Sequence, residues 1–301
     1  MTIRPIRRGD AGALLDMWNA TARFDPLTPA LLDEKIRGDV DFDPSMALVC
    51  EENGLLTGFM MAVSRQTDEG PRGFIKLAAV AADRRRRGVG GGLLAAVEDT
   101  LRDRGARTVR IGESAPNYLT PGVDCRYSAA PHFFRKHGYE RLGEACNMTL
   151  DLETRDLGTE SQERQLAQRG VEIRRASGSD LEPVETLVQT HWPSWRREVL
   201  NSLKNSPVSL HLAVKDNSTV AFSAFDTNNL GTGWFGPMGT APEARRQGIG
   251  QVLLFRCLAD IAAQGHRYAI IPWVGPVEFY RLCAGAAVSR IFNRYEKVLK
   301  A

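Results

Sequence analysis

Apolar residues fill Ser45–Cys50 and Leu55–Val63, with the polar turn residues Glu51, Glu52, Asn53 and Gly54 between them, a pattern that predicts two strands joined by a tight turn. The arrangement returns at Leu210–Val214 and Thr219–Phe225, around Lys215, Asp216 and Asn217. Each pair leads into another extended run, Gly73–Ala81 and Trp234–Thr240. Apolar positions then change to helical spacing, at Leu93, Leu94, Val97 and Leu101 and again at Leu253, Leu254, Cys257, Leu258 and Ile261. Gly105 and Gly265 stop these helices at matching places. A further strand (Thr108–Gly112, Tyr268–Ile271) and a short helix complete each set. The expected fold class is therefore α/β, with a mixed, hairpin-rich sheet that occurs twice.

The two sets are copies. Ile3-Arg4 matches Ile173-Arg174, Gly9-Asp10 matches Ser179-Asp180, and Phe133-Phe134 matches Phe279-Tyr280. Asp10 and Asp180 stand where a helix N-cap is expected. The spacing between matches shrinks along the chain, chiefly because the first copy carries an extra turn-rich, aromatic segment, Pro116–Tyr127. A repeat of this length is a domain duplication, not a solenoid of short units. The expected division is residues 1–152, a polar linker at 153–170 with room for a short helix, and residues 171–301.

Composition narrows the function. With 43% hydrophobic and 25% charged residues, the chain has material for a sizeable core and is not a disordered polymer. A net charge of +3 is too small for nucleic-acid binding by bulk charge, and the lone run Arg84–Arg87 has no interleaved aromatics. No apolar run is long enough to span a membrane, and the opening segment turns polar at once. Neither nucleic acid nor membrane is an expected partner, and the cytoplasm is the expected compartment. Five scattered cysteines and five histidines without ligand spacing predict neither a disulfide framework nor a metal site.

The strongest chemical signal is a pair of turns, Arg85-Arg86-Arg87-Gly88-Val89-Gly90 and Arg245-Arg246-Gln247-Gly248-Ile249-Gly250. Each follows a strand and opens a helix. Glycines there allow close approach of a ligand, and the helix N-terminus attracts phosphate or pyrophosphate. A Walker A loop is excluded because neither turn has its lysine, and a dinucleotide fingerprint is excluded because Leu93 and Leu253 stand where a small residue is required.

These turns resemble the acetyl-CoA pyrophosphate loop, R-x-x-G-x-G, of the GNAT N-acetyltransferase superfamily, and the chain resembles a tandem of two such domains. The resemblance implies a sheet whose fourth and fifth strands splay to admit the pantetheine arm, and direct acetyl transfer from the thioester to an amine. It implies acetyl-CoA as co-substrate, one per domain. The implied contacts in the second copy are Met238, Gly239, Thr240, Arg245, Arg246, Gln247, Gly248, Ile249, Gly250 and Gln251. In the first copy they are Val80, Arg85, Arg86, Arg87, Gly88, Val89, Gly90 and Gly91.

The copies differ where chemistry is expected. The family's aromatic pair ends in tyrosine, whose hydroxyl can protonate the departing thiolate; the second copy has Phe279-Tyr280 and the first Phe133-Phe134. Tyr280 is therefore the expected general acid. Gly236-Pro237 interrupts the strand before Met238, the resemblance implies a bulge there, and Met238 is the expected N–H donor to the thioester carbonyl. The corresponding Ile75–Val80 reads as an uninterrupted run. Glu278, Asp226 and His191 are the nearest candidate bases, none favoured over a water relay, and Tyr118 or Tyr127 could replace the missing acid in the first copy. The leading expectation is an acetyl-CoA-dependent N-acetyltransferase acting on a small amine, with an amino sugar or aminoglycoside as first choice. The competing expectations are an acyl-CoA sensor without turnover and a protein N-terminal or lysine acetyltransferase.

Overall fold

The computed structural model describes residues 1–299. In chain order the first copy comprises β1 (Thr2–Pro5), α1 (Ala11–Thr21), α2 (Pro29–Ile36), β2 (Ala47–Glu52), β3 (Leu55–Thr67), β4 (Gly70–Val80), α3 (Val89–Asp103), β5 (Thr108–Ile111), β6 (Val123–Asp124), α4 (Ala129–Lys136) and β7 (Glu140–Asp151). The second comprises α5 (Glu160–Ala167), β8 (Val171–Arg175), α6 (Leu181–His191), α7 (Arg196–Ser202), β9 (Leu210–Lys215), β10 (Ser218–Phe225), β11 (Phe235–Thr240), α8 (Ile249–Ala263), β12 (Tyr268–Ile271), α9 (Val277–Ala284) and β13 (Ala287–Val298).

Packing divides the chain differently from its repeat. One compact unit is Met1–Ala145 together with the chain from Arg290 onward, and the other is Cys146–Ser289. In the first unit β1, β2, β3 and β4 pair antiparallel in turn, β4 pairs β5 in parallel, and β13 closes the sheet against β5 and β6. In the second, β8, β9, β10 and β11 pair antiparallel, and β12 pairs with Met148–Asp151 of β7. Each unit thus takes its last strand from the other copy. A division at 152 and 171 follows the repeat but not the packing.

The charges of β13 explain its place. Arg290 bonds Asp25 and Asp124, Arg294 grips both oxygens of Glu113, and Lys297 reaches Glu98, carboxylates that the first unit otherwise buries. Phe292 and Tyr295 fill its core. In the second unit Met148 and Leu150 of β7 pack with Leu254, Cys257, Leu258 and Ile261 of α8. The segment 153–170 is no free spacer: Leu166 of α5 is buried, and Glu163 forms a two-toothed pair with Arg256 of α8. The buried stripes of α3 and α8 are those expected from their spacing.

Asp10 and Asp180 act otherwise than as simple helix caps. Each accepts the backbone N–H three residues earlier, Arg7 or Ser177, and is clamped by Arg4 or Arg174 respectively, so each fixes the turn that precedes its helix. The five cysteines are unpaired. Among the described residues no helix is long and apolar enough to cross a membrane.

Candidate active site

In both units the third strand of the meander parts from its parallel neighbour midway. Pairing of β4 with β5 ends at Ile75–Ile111, although β4 runs on to Val80. In the second unit the contact is one bridge, Trp234 to Ile270, beyond which β11 continues to Thr240. The far ends of β4 and β11 are therefore left open on that side, and each leads into a glycine turn and helix.

Those turns are built alike. Arg86 and Arg246 have positive φ, as do Gly88 and Gly248 (both +86°), so left-handed and right-handed backbone alternate and successive N–H groups face one concavity. Gly88 and Gly248 precede α3 and α8 without any side-chain cap, which leaves the N–H groups of the first turn available to an anion. A side chain at either glycine would be strained, although the space around it is open. The Nε atoms of Arg85 and Arg245 bond the carbonyls of Val80 and Thr240, tying each turn to its strand. Arg86, Arg87 and Arg246 are exposed, Gln247 is half-buried, and Gln251 is exposed on the first turn of α8. Val89 and Ile249 are buried, so only their backbones face the turn. Gly91 lies beside His137, where an added Cβ would come within 3.3 Å of its Nε2. Exposed guanidinium groups and an uncapped helix end suit a pyrophosphate in either unit.

The next glycine of each turn meets the aromatic pair. A Cβ on Gly90 would come within 3.2 Å of Phe133, and one on Gly250 within 3.4 Å of Met238 and 3.9 Å of Phe279. The second member of each pair turns inward. Tyr280 is 7% exposed and packs edge-on to Phe235 of β11 and to Phe279. Its hydroxyl has no hydrogen-bond partner among the described residues, and burial raises its pKa above that of a free phenol, which keeps the proton on. Phe134, its counterpart, packs against Tyr139 and Tyr295. The first unit has no replacement acid at Tyr127: its hydroxyl donates to Asp25 and accepts from the Phe24 N–H, and burial and Asp25 raise its pKa. Tyr118 is buried.

Both strands are bulged where they begin to diverge. Gly236 and Pro237 together oppose Ala224, Gly236 has φ +105°, and Met238 follows opposite Ser223. The first unit departs from its sequence reading: β4 is interrupted at Lys76, as the register jumps from Met61–Leu77 to Ala62–Ile75. The extra residue turns a lysine out of an apolar strand toward a buried carboxylate, and that polar residue in an apolar run was the available signal. The Lys76 ammonium lies 2.5 Å from Asp39, and both side chains are fully buried. Arg65 bonds Asp39, Asp41 and the Ser114 carbonyl. Burial pulls Lys76 down to about 7 against the pull of Asp39. Burial also opposes ionisation of Asp39, but Lys76 and Arg65 outweigh it and hold its carboxyl below the usual range. The matching position in the second unit is Gly236, which has no side chain.

The candidate bases do not converge on the bulge. Glu278 is exposed and paired with Arg281, Asp226 accepts from Gln264, and His191 ends α6 beside Trp192.

The model of the acetyltransferase (GNAT) family matches residues 13–120 and 173–282. A mycothiol acetyltransferase of Kineococcus radiotolerans is 28% identical over 290 residues, covering 92% of this chain and 89% of that one. In fold, the chain resembles the GCN5-related glucosamine N-acetyltransferase region of a fungal multi-domain beta-N-acetylglucosaminidase (TM-score 0.84, 19% identity, 98% of this chain and 38% of that one). It also resembles a tandem GNAT protein from the clavulanic acid biosynthesis pathway (TM-score 0.71, 16% identity, 100% of this chain and 99% of that one). Two family matches on two bulged, splayed sheets, each ending in an R-x-x-G-x-G turn, establish that the chain belongs to the acetyltransferase (GNAT) family as a tandem of two such domains.

Proposed function

We propose that the second unit transfers an acetyl group from acetyl-CoA to the primary amine of a small molecule, and that the first unit binds acetyl-CoA without turning it over. One observation carries the assignment: Tyr280, a buried residue whose hydroxyl makes no hydrogen bond among the described residues, stands where the first unit has Phe134. Acetyl-CoA supplies an activated acyl thioester when bound. The turn at Arg245–Gly250 and the first N–H groups of α8 hold its pyrophosphate, and the Met238 N–H donates to the thioester carbonyl as negative charge develops there. As the amine nitrogen bonds to the carbonyl carbon and the C–S bond breaks, Tyr280 gives its proton to the sulfur. The amine proton passes to water, and solvent restores the phenol.

In the first unit Lys76, Asp39 and Arg65 occupy the side of the bulge that Gly236 leaves free in the second, which supports a binding role without an acceptor. The full-length similarity to a relative named for mycothiol rather than for a protein substrate supports a small-molecule acceptor, and an amino sugar remains the first choice. The test is thiol release from acetyl-CoA with a panel of amino sugars, aminoglycosides, polyamines, amino acids and basic peptides. Release with one class names the acceptor; no release from protein that binds acetyl-CoA leaves the sensor reading.

A further inference from the structure

A row of side chains runs across the sheet of the second unit behind Met238. Arg175 of β8 pairs with His211 of β9, His211 with Ser223 of β10, and Ser223 with Met238 of β11, each directly opposite the next. Residues paired in this way project from one face of a sheet, here the face under α8, because Cys257 and Asp260 of that helix meet the row. The Cys257 thiol donates to the Ser223 hydroxyl at 3.3 Å. The Nε2 of His211 lies 2.7 Å from the Asp260 carboxylate, which Arg175 holds through both oxygens. His211, Ser223 and Cys257 are buried. Burial opposes ionisation of Asp260, but His211 and Arg175 outweigh it and hold its carboxyl below the usual range.

The first unit has the same row without its polarity. Pro5, Leu48, Met60 and Ala78 are paired in the same order. The ninth and twelfth residues of the helix above, Cys257 and Asp260 in α8, are Val97 and Thr100 in α3. Leu48, Met60 and Val97 belong to one apolar core, and Thr100 bonds within its own helix, to the Ala96 carbonyl. The polar row therefore exists only in the unit that has Tyr280.

Stability does not account for the row. Leu48, Met60 and Val97 join helix to sheet with nothing polar to desolvate, whereas the second unit buries polar groups there and leaves the Nδ1 of His211 without a partner among the described residues. What the hydrogen bonds add is direction. Apolar contact tolerates sliding, but a hydrogen bond fixes a distance and an angle. Both bonds from α8 meet the two strands directly behind the bulge, and α8 begins at the turn that the proposed function gives to the pyrophosphate.

We infer that His211 and Ser223 are positioning residues for acetyl transfer, a reading that rests on the second unit being the catalytic one. Tied to Asp260 and Cys257, they fix the strand behind Met238 against α8. The Met238 N–H and the pyrophosphate turn are thereby held in one register, so that a thioester anchored at the turn presents its carbonyl to that N–H. An error of about 1 Å in such a placement costs about 100-fold in rate.

The experiment compares the native full chain with His211→Leu, which copies the first unit, and His211→Gln, which keeps a donor for Asp260. In chains labelled with 15N-methionine, the Met238 amide signal is identified by its loss in Met238→Leu. Saturating acetyl-CoA should move that signal downfield in the native chain and in His211→Gln, but by less than about half as much in His211→Leu, with two molecules bound at unchanged Kd in all three. Ser223→Ala, which cuts the tie to Cys257 without adding bulk, should act in the same direction as His211→Leu. With the acceptor that the panel identifies, kcat should fall about 10- to 100-fold in His211→Leu at unchanged KM and return to within about threefold of native in His211→Gln. A full native shift of Met238 in both His211→Leu and Ser223→Ala overturns the inference, as does loss of acetyl-CoA from both variants, which would make the row merely structural. Absence of the shift in the native chain instead contradicts the reading beneath it, because Met238 is then not the donor.

Discussion

The two units share a frame and part company at three places on it. Both have a bulged strand, a left-handed turn and an uncapped fifteen-residue helix. The first then sets Lys76 on the bulge, Phe134 on the short helix and Leu48 behind the bulge, where the second sets Gly236, Tyr280 and His211. On the proposed function, the shared part is the part that meets the anionic co-substrate and the divergent part is the part that meets the amine and moves protons. Duplication would then have preserved binding in both copies and left catalysis to one.

The largest effect expected is structural. A chain ending at Ser289 loses the strand that carries Phe292 and Tyr295 into the first core and leaves Glu113 and Glu98 without Arg294 and Lys297. The loss of Arg294 from Glu113, which keeps only Arg110, and of Lys297 from Glu98, which keeps only the Tyr139 hydroxyl, together with an open core should unfold the first unit, whereas the second retains all of its own residues. Calorimetry should show one transition lost, and two intact transitions would contradict the exchange.

Next in size, Tyr280→Phe should lower kcat by about 100-fold or more at unchanged acetyl-CoA affinity, while Phe134→Leu should leave turnover within about threefold. Gly88→Val and Gly248→Val, each forcing a branched side chain into positive φ, should each remove one of two bound acetyl-CoA molecules, as read by titration calorimetry, and only Gly248→Val should abolish turnover.

The smallest effect is a pH dependence. With Lys76 near 7 when folded and 10.5 when free, the unfolded chain holds a proton across that window that the folded chain has released. Stability from this group therefore rises between about pH 7 and 10.5, by at most about 1.4 kcal/mol per pH unit. Lys76→Met should flatten the rise in the melting temperature of the first unit, and an unchanged slope would place the titration elsewhere.

Much of the frame was legible because it is written twice. The glycine turns and the stripes Leu93–Leu101 and Leu253–Ile261 repeat in register, and Gly236-Pro237 marked its bulge by the one dipeptide a strand rarely holds. Lys76 was the polar residue in an apolar run that could have marked the other bulge, but its partner Asp39 lies 37 residues away and their pairing shows only in the fold. The strand exchange left no such mark, since β7 and β13 are both twelve residues long and their length does not tell which sheet each closes. What selects between them is the set of carboxylates facing Arg290, Arg294 and Lys297, a pairing visible only in three dimensions.

The most direct test of the division of labour is to measure acetyl-CoA stoichiometry and thiol release together for the native chain and Tyr280→Phe, with the acceptor that the panel identifies. Two molecules bound by both proteins, with release confined to the native chain, is the predicted result. Undiminished release from Tyr280→Phe would contradict it and would move catalysis away from the second unit's phenol.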